Sequence, residues 1–84
     1  MSWYVYMLRC RDNSLYTGST TDLKRRESVH NAGKGAKYTK SRLPVTLVYS
    51  EVCEDKSQAL KRECAIKRLT RAQKEMLISG KESP

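Results

Sequence analysis

Five side chains in this sequence are of types that do chemistry and stand at spacings that could bring them together: Tyr6, Tyr16, Arg26, His30 and Glu63. Leu23, Arg26 and His30 lie at i, i+3 and i+7, so one helical stripe carries all three, and Leu23 turns that stripe toward a core. An Arg and a His then occupy places where a packing helix carries Leu or Val. Long polar groups held on such a face need a partner, and a phosphate is one candidate. Glu63 falls in the middle of a second stripe defined by Ala59, Leu60 and Ile66; its carboxylate is either paired with Lys61, Arg62 or Lys67, which is the commoner outcome, or aimed at a cation in a cleft. Taken singly, the tyrosines are ordinary sheet residues and His30 an ordinary hydrogen-bonded histidine. The combination is harder to explain as packing, because a small core tolerates few unpaired polar groups.

The elements that must position these groups are readable in turn. Trp3 to Leu8 is apolar on both alternating faces, as expected of a well-covered central strand. Arg11-Asp12-Asn13-Ser14 supplies turn chemistry, with Asn13 able to adopt a left-handed conformation, and Leu15 to Ser19 returns as an antiparallel strand. A two-residue loop would put Tyr6 and Tyr16 on opposite faces; a three-residue loop or a bulge would put them on the same one. After Gly18 the chain restarts as a helix of roughly residues 21–32, with Thr21 as its cap, Asp22 in the first turn and Gly33 at its end. Residues 34–42 then read as a loop with four cations, Lys34, Lys37, Lys40 and Arg42, no acids, and one aromatic, Tyr38. That mixture suits a loop following a phosphate backbone and stacking one base, against the plainer alternative of a solvated basic loop. Val45 to Ser50 is a third strand. Asp55 with Gln58, and Thr70 with Gln73, mark helix starts near Lys56 and Arg71. The last helix, to about Ile78, is expected to dock through Ala72, Met76 and Leu77, with residues 81–84 as a frayed tail.

At 84 residues the expectation is one domain over residues 1–80, burying about 60–65% of the surface its unfolded form exposes. Lys plus Arg number 17 against 9 acidic residues, a formal charge of +8 with a sequence pI near 9.7, which points to a polyanion as partner. A mean hydropathy of −0.72 and the lack of a long apolar run argue against a membrane span, and no secretory leader is expected. Cys10, Cys53 and Cys64 are odd in number and far apart, favouring free thiols in a reducing cytoplasm over disulfides or a zinc site. There is no Gly-rich phosphate loop, no His-x-x-x-His and no nucleophile elbow, which removes the commoner enzyme classes.

In order along the chain, Tyr4-Val5-Tyr6, Tyr16-Thr17-Gly18, Leu23-x-x-Arg26-x-x-x-His30, Gly33 to Thr39 and Ala59-Leu60-x-x-Glu63 resemble the motifs of the GIY-YIG nuclease superfamily, specifically its small stand-alone branch. The resemblance runs from Trp3 to about Ile78. It implies an α+β fold, a three-stranded antiparallel sheet flanked by about three helices, and one-metal hydrolysis of nucleic-acid phosphodiesters, DNA ahead of RNA. It further implies that Tyr6 deprotonates or positions the attacking water with support from His30 and Tyr16, that Arg26 balances charge on the phosphoryl oxygens, and that Glu63 holds one Mg²⁺ or Mn²⁺ ion, expected only with substrate. No small-molecule cofactor is implied. The competing expectation is a non-catalytic nucleic-acid-binding module, a DNA repair accessory or an RNA-associated protein. Three positions depart from the family pattern: Tyr4 replaces a Gly, Thr17 an Ile, and Glu27 an apolar residue, which makes Glu27 a candidate partner for the Arg26 guanidinium.

Overall fold

Strand β1 (Trp3–Arg9) runs through the middle of an antiparallel sheet ordered β2-β1-β3, paired on one side with β2 (Leu15–Thr20) and on the other with β3 (Thr46–Cys53). In this computed structural model residues 2–80 are described, and four helices complete the α+β fold: α1 (Leu23–Asn31), α2 (Lys37–Lys40), α3 (Lys56–Lys67) and α4 (Arg71–Ser79). The expected tail at residues 81–84 lies outside the described residues. Four consecutive residues of β1, Val5 to Leu8, are buried because helices cover both faces. Val5 and Met7 pack with Ala59 and Ile66 on the α3 and α4 side, while Tyr6 and Leu8 pack with Cys10 and Val45, flanked by Leu23, on the α1 side.

The hairpin settles the register question. Cys10 N–H donates to the Ser14 carbonyl at 2.9 Å, leaving Arg11, Asp12 and Asn13 as a three-residue loop, and Asn13 takes the left-handed conformation (φ 72°) that ends such a loop. Asp12 stiffens it by accepting from the Ser14 backbone and hydroxyl. Tyr6 therefore pairs with Gly18 and Leu8 with Tyr16, so Tyr6 and Tyr16 share a face.

Several boundaries differ from the sequence reading. The cap of α1 is Asp22, not Thr21: Thr20 Oγ1 accepts from Asp22 N–H and holds Asp22 extended, so its carboxylate reaches Arg25 N–H at 3.1 Å. The supposed loop at residues 34–42 contains α2, one helical turn closed by the Ala36 carbonyl, which accepts from both the Thr39 backbone and hydroxyl. This makes four helices where about three were expected. Strand β3 continues to Cys53, beyond the expected end at Ser50. Leu60 is exposed because α3 touches the sheet along the Ala59–Ile66 line and the next residue turns some 100° away. In α4, Leu77 and Ile78 do the docking, whereas Ala72 and Met76 face solvent. Its first turns are held by a polar clamp instead: Glu75 accepts from Arg9 at 2.7 and 2.8 Å and from Arg71 at 3.0 Å, and Arg71 also donates to the Asn13 carbonyl. A comparable clamp fixes α3 to β3, with Arg62 donating through Nε and Nη2 to Glu51, which also accepts from Tyr49.

Candidate functional site

The Tyr6 phenol lies across the edge strand at Gly18. A Cβ at that position would fall 2.6 Å from Tyr6 Oη and 2.8 Å from Cζ, so only glycine lets the ring sit there. Tyr6 Oη is 3.2 Å from His30 Nε2, and His30 Nδ1 is 2.8 Å from Thr39 Oγ1. The Thr39 hydroxyl proton is used on the Ala36 carbonyl, so Oγ1 accepts from His30 Nδ1–H. That assignment leaves Nε2 with a free lone pair, and the Tyr6 hydroxyl donates to it. Gly35 closes the far side: a Cβ there would meet His30 Cγ at 2.7 Å. Burial, reinforced by the nearby Arg26 charge, holds the His30 imidazole below its usual basicity. Burial also raises the Tyr6 phenol; the Arg26 guanidinium opposes this, and Tyr16 and Glu63 add to it. The resting pair is thus a neutral phenol on a neutral imidazole.

Arg26 comes from the same face of α1 as His30. Its Nε is buried and has no hydrogen-bond partner among the described residues. Glu27 forms no ion pair with it among the described residues; its carboxylate accepts instead from the Leu47 N–H at 2.6 Å, where β3 arrives. Glu63 comes from α3, the helix packed on the opposite face of the sheet, and is paired with Lys67 at 2.8 Å, which raises the Lys67 ammonium. Among the described residues no three His, Cys, Asp or Glu side chains gather as a closed metal cage. A single carboxylate with hard oxygen donors fits a divalent ion of the Mg²⁺ or Mn²⁺ kind that completes its shell with water and phosphate oxygens, and does not fit a closed zinc-type centre.

Tyr16 joins this group to the basic segment. Its ring is 6.5 Å from that of Tyr6, 5.2 Å from His30, and stacked on Tyr38 at 6.1 Å and 28°. Lys34, Lys37 and Lys40 are exposed, but Arg42 is committed to structure: it lies over the Tyr38 ring at 4.0 Å, donates to Asp12 at 3.1 Å and donates to the Tyr38 carbonyl at 2.7 Å. Tyr6, Tyr16 and His30 are thus brought together with the Arg26 charge beside them, while Glu63 touches Lys67 and reaches this group only through the effect of its charge on the Tyr6 phenol. Thr39 and Gly35 are the members that residue type alone did not single out; their signal was only membership of the Gly33 to Thr39 segment.

The model of the GIY-YIG catalytic domain matches residues 2–76. The chain belongs to the GIY-YIG family. Among its relatives, the UPF0213 protein of Staphylococcus haemolyticus is 57% identical over 75 residues, covering 89% of this chain and 92% of that one. A UPF0213 protein of Halobacterium salinarum is 55% identical, covering 89% and 97%. The solution NMR structure of the UPF0213 protein BH0048 from Bacillus halodurans superposes with a TM-score of 0.61 at 48% identity, covering 100% of this chain and 89% of that one. In this GIY-YIG chain the two tripeptides are neighbours across the β1–β2 ladder, and two of the departures from the family pattern leave a trace: Glu27 in its bond to the Leu47 N–H, and Thr17 in a buried hydroxyl with no partner among the described residues. No described helix is long and apolar enough to cross a membrane.

Proposed function

We propose that this GIY-YIG chain is a metal-assisted nuclease that hydrolyses phosphodiester bonds in nucleic acid, DNA ahead of RNA. The observation that carries this reading is Arg26, a permanent cation with a buried, unpartnered Nε beside the hydrogen-bonded Tyr6–His30 pair. A buried guanidinium nitrogen left without a partner is costly unless a ligand supplies one, and a phosphoryl oxygen is the matching acceptor. In the reaction, water beside Tyr6 gives a proton to the phenol oxygen as the phenol's own proton passes to His30 Nε2. The water oxygen bonds to phosphorus, the bond from phosphorus to the departing sugar oxygen breaks, and that oxygen takes up a proton from the imidazolium or solvent. Arg26 meets the charge on the non-bridging oxygens. Thr39 keeps the imidazole in the tautomer that can accept. Glu63 would hold the divalent ion, Mg²⁺ or Mn²⁺, which when bound supplies Lewis-acid stabilisation of the phosphoryl charge. Lys34, Lys37, Lys40 and Tyr38 would follow the strand away from the site, and Arg42 would hold Tyr38 in place.

A second reading, a module that holds nucleic acid without cutting it, is favoured by the Glu63–Lys67 ion pair, which engages the carboxylate an ion would need. Labelled single-stranded, duplex and branched DNA incubated with Mg²⁺ or Mn²⁺ separates the two. Cleavage that disappears in Glu63→Ala supports the nuclease; salt-dependent binding with no cleavage supports the second reading.

A further inference from the structure

Edge strand β2 borders a cavity of about 220 Å³, lined by Leu15, Tyr16 and Thr17 of the strand, Tyr38 of α2, Lys67 of α3 and Lys74 of α4. The charged groups of that lining are two ammonium groups, and neither has a part in the proposed hydrolysis. Lys74 has no acidic partner among the described residues. Lys67 has one, Glu63, a turn back along α3 at 2.8 Å. The Lys67 ammonium thus occupies the cation's place on the carboxylate that the hydrolysis assigns to a divalent ion.

That pair is easily exchanged. The Lys67 side chain is 53% exposed, and an i,i+4 pair of this kind shifts an equilibrium by only about twofold. A doubly charged ion attracts the same carboxylate about twice as strongly at a given distance. Charge counting gives the consequence. With Glu63 on Lys67, the carboxylate offsets one of the two ammonium groups; with Glu63 on an ion, both face a cavity whose lining holds no acid. Lysine suits the exchange, since its ammonium rides on a flexible four-carbon stem and binds phosphate as a point charge. We infer that Lys67 is a displaceable placeholder: it holds Glu63 while no ion is bound, and once Glu63 takes up an ion it turns into the cavity and, with Lys74, holds a phosphate of the substrate strand next to the scissile one. Ion and strand then strengthen each other's binding. The inference rests on the proposed action on nucleic acid, with Glu63 as the metal ligand.

Binding of a labelled single-stranded oligonucleotide in EDTA, followed over a range of salt, tests the exchange without metal or cleavage. Glu63→Gln frees Lys67 as an ion would. It should bind more tightly than the native chain, and its log affinity should fall more steeply with log salt by about 0.7, the mark of one added phosphate contact on a single strand. The double variant Glu63→Gln with Lys67→Gln should return to the native slope, whereas Glu63→Gln with Lys67→Arg should keep the gain. Lys74→Ala in the Glu63→Gln background should lower the slope by about 0.7. These three positions are partly or fully exposed, so the changes leave the fold intact. With Mn²⁺ and a cleavage-resistant phosphorothioate strand, the native slope should exceed that of Lys67→Gln by the same amount. An unchanged slope in Glu63→Gln overturns the inference, as does a gain that persists without Lys67, which is the plain loss of a negative charge. In either case, native cleavage that Glu63→Ala abolishes leaves the nuclease reading standing. Inorganic phosphate that displaces the strand from Glu63→Gln as readily as unlabelled strand does would assign the cavity to a free anion and also overturn the inference. A native chain that binds no nucleic acid overturns both.

Discussion

The Tyr6 hydroxyl, His30 and Thr39 form a directional chain whose sense is set at its far end, where Thr39 spends its only proton on Ala36. Thr39→Val breaks it there: the buried His30 Nδ1–H loses its acceptor at a cost of about 1–3 kcal/mol, the imidazole is free to take the other tautomer, and cleavage should drop at least about tenfold. Thermal melting and single-turnover rates read the two effects. The pH dependence follows from the lowered basicity of His30. Folding stability from this residue is full above the unfolded value of 6.5 and is lost as pH falls from there toward the lower folded value, because the unfolded chain takes up the proton first. Cleavage should show its acid limb in the same window, below 6.5, and the limb should vanish in His30→Gln. Tyr6, Arg26 and His30 were legible as types at a spacing. Thr39 was not, since it lies nine residues past His30 in a segment whose composition signalled only charge, and Glu27 was read beside Arg26 because sequence cannot tell that β3 brings the Leu47 N–H to its carboxylate.

At the scale of elements, the three-residue hairpin loop decides whether two tyrosines meet. Deleting Asn13 shortens the loop to two residues and should turn Tyr16 to the α3 face, or else shift the strand; either outcome abolishes cleavage, and loss of contacts between Tyr6 and Tyr16 ring protons in NMR spectra would report it. The α4 clamp has its own pH signature. Arg9, followed by Arg71, pulls the Glu75 carboxyl down from 4.5 to about 2, so the clamp's contribution is present above 4.5 and is lost as pH falls toward 2. Glu75 is about a third exposed, so solvent screening limits Glu75→Gln to about 1 kcal/mol of stability at neutral pH, measurable as a fall in denaturant midpoint. The strands and three longer helices were readable because their caps and alternation act locally. Helix α2 was not, being four residues held by one threonine, and Leu60 and Met76 were misplaced because the docking line of a short helix is chosen by the sheet it meets.

Over the whole molecule, a charge of +8 is spread around a sheet whose two faces carry separate apolar clusters, and the candidate site draws on both sides: Arg26 and His30 from α1, Glu63 from α3. Binding to nucleic acid should therefore weaken steeply between low and physiological salt. Convergence across the sheet is what sequence could propose but not place, since a stripe says which way a helix faces and not which neighbour it meets. Because the Arg26 Nε has no partner to lose, Arg26→Ala should still fold and still bind DNA, and its melting temperature shows what the rest of the guanidinium contributes beside Tyr6. The decisive measurement is single-turnover cleavage of a labelled DNA in Mn²⁺ by the native chain and by Arg26→Ala, purified side by side. A loss of at least about a hundredfold in a variant that remains folded by thermal melting is expected; equal cleavage by the two proteins would contradict a hydrolytic centre built on this residue.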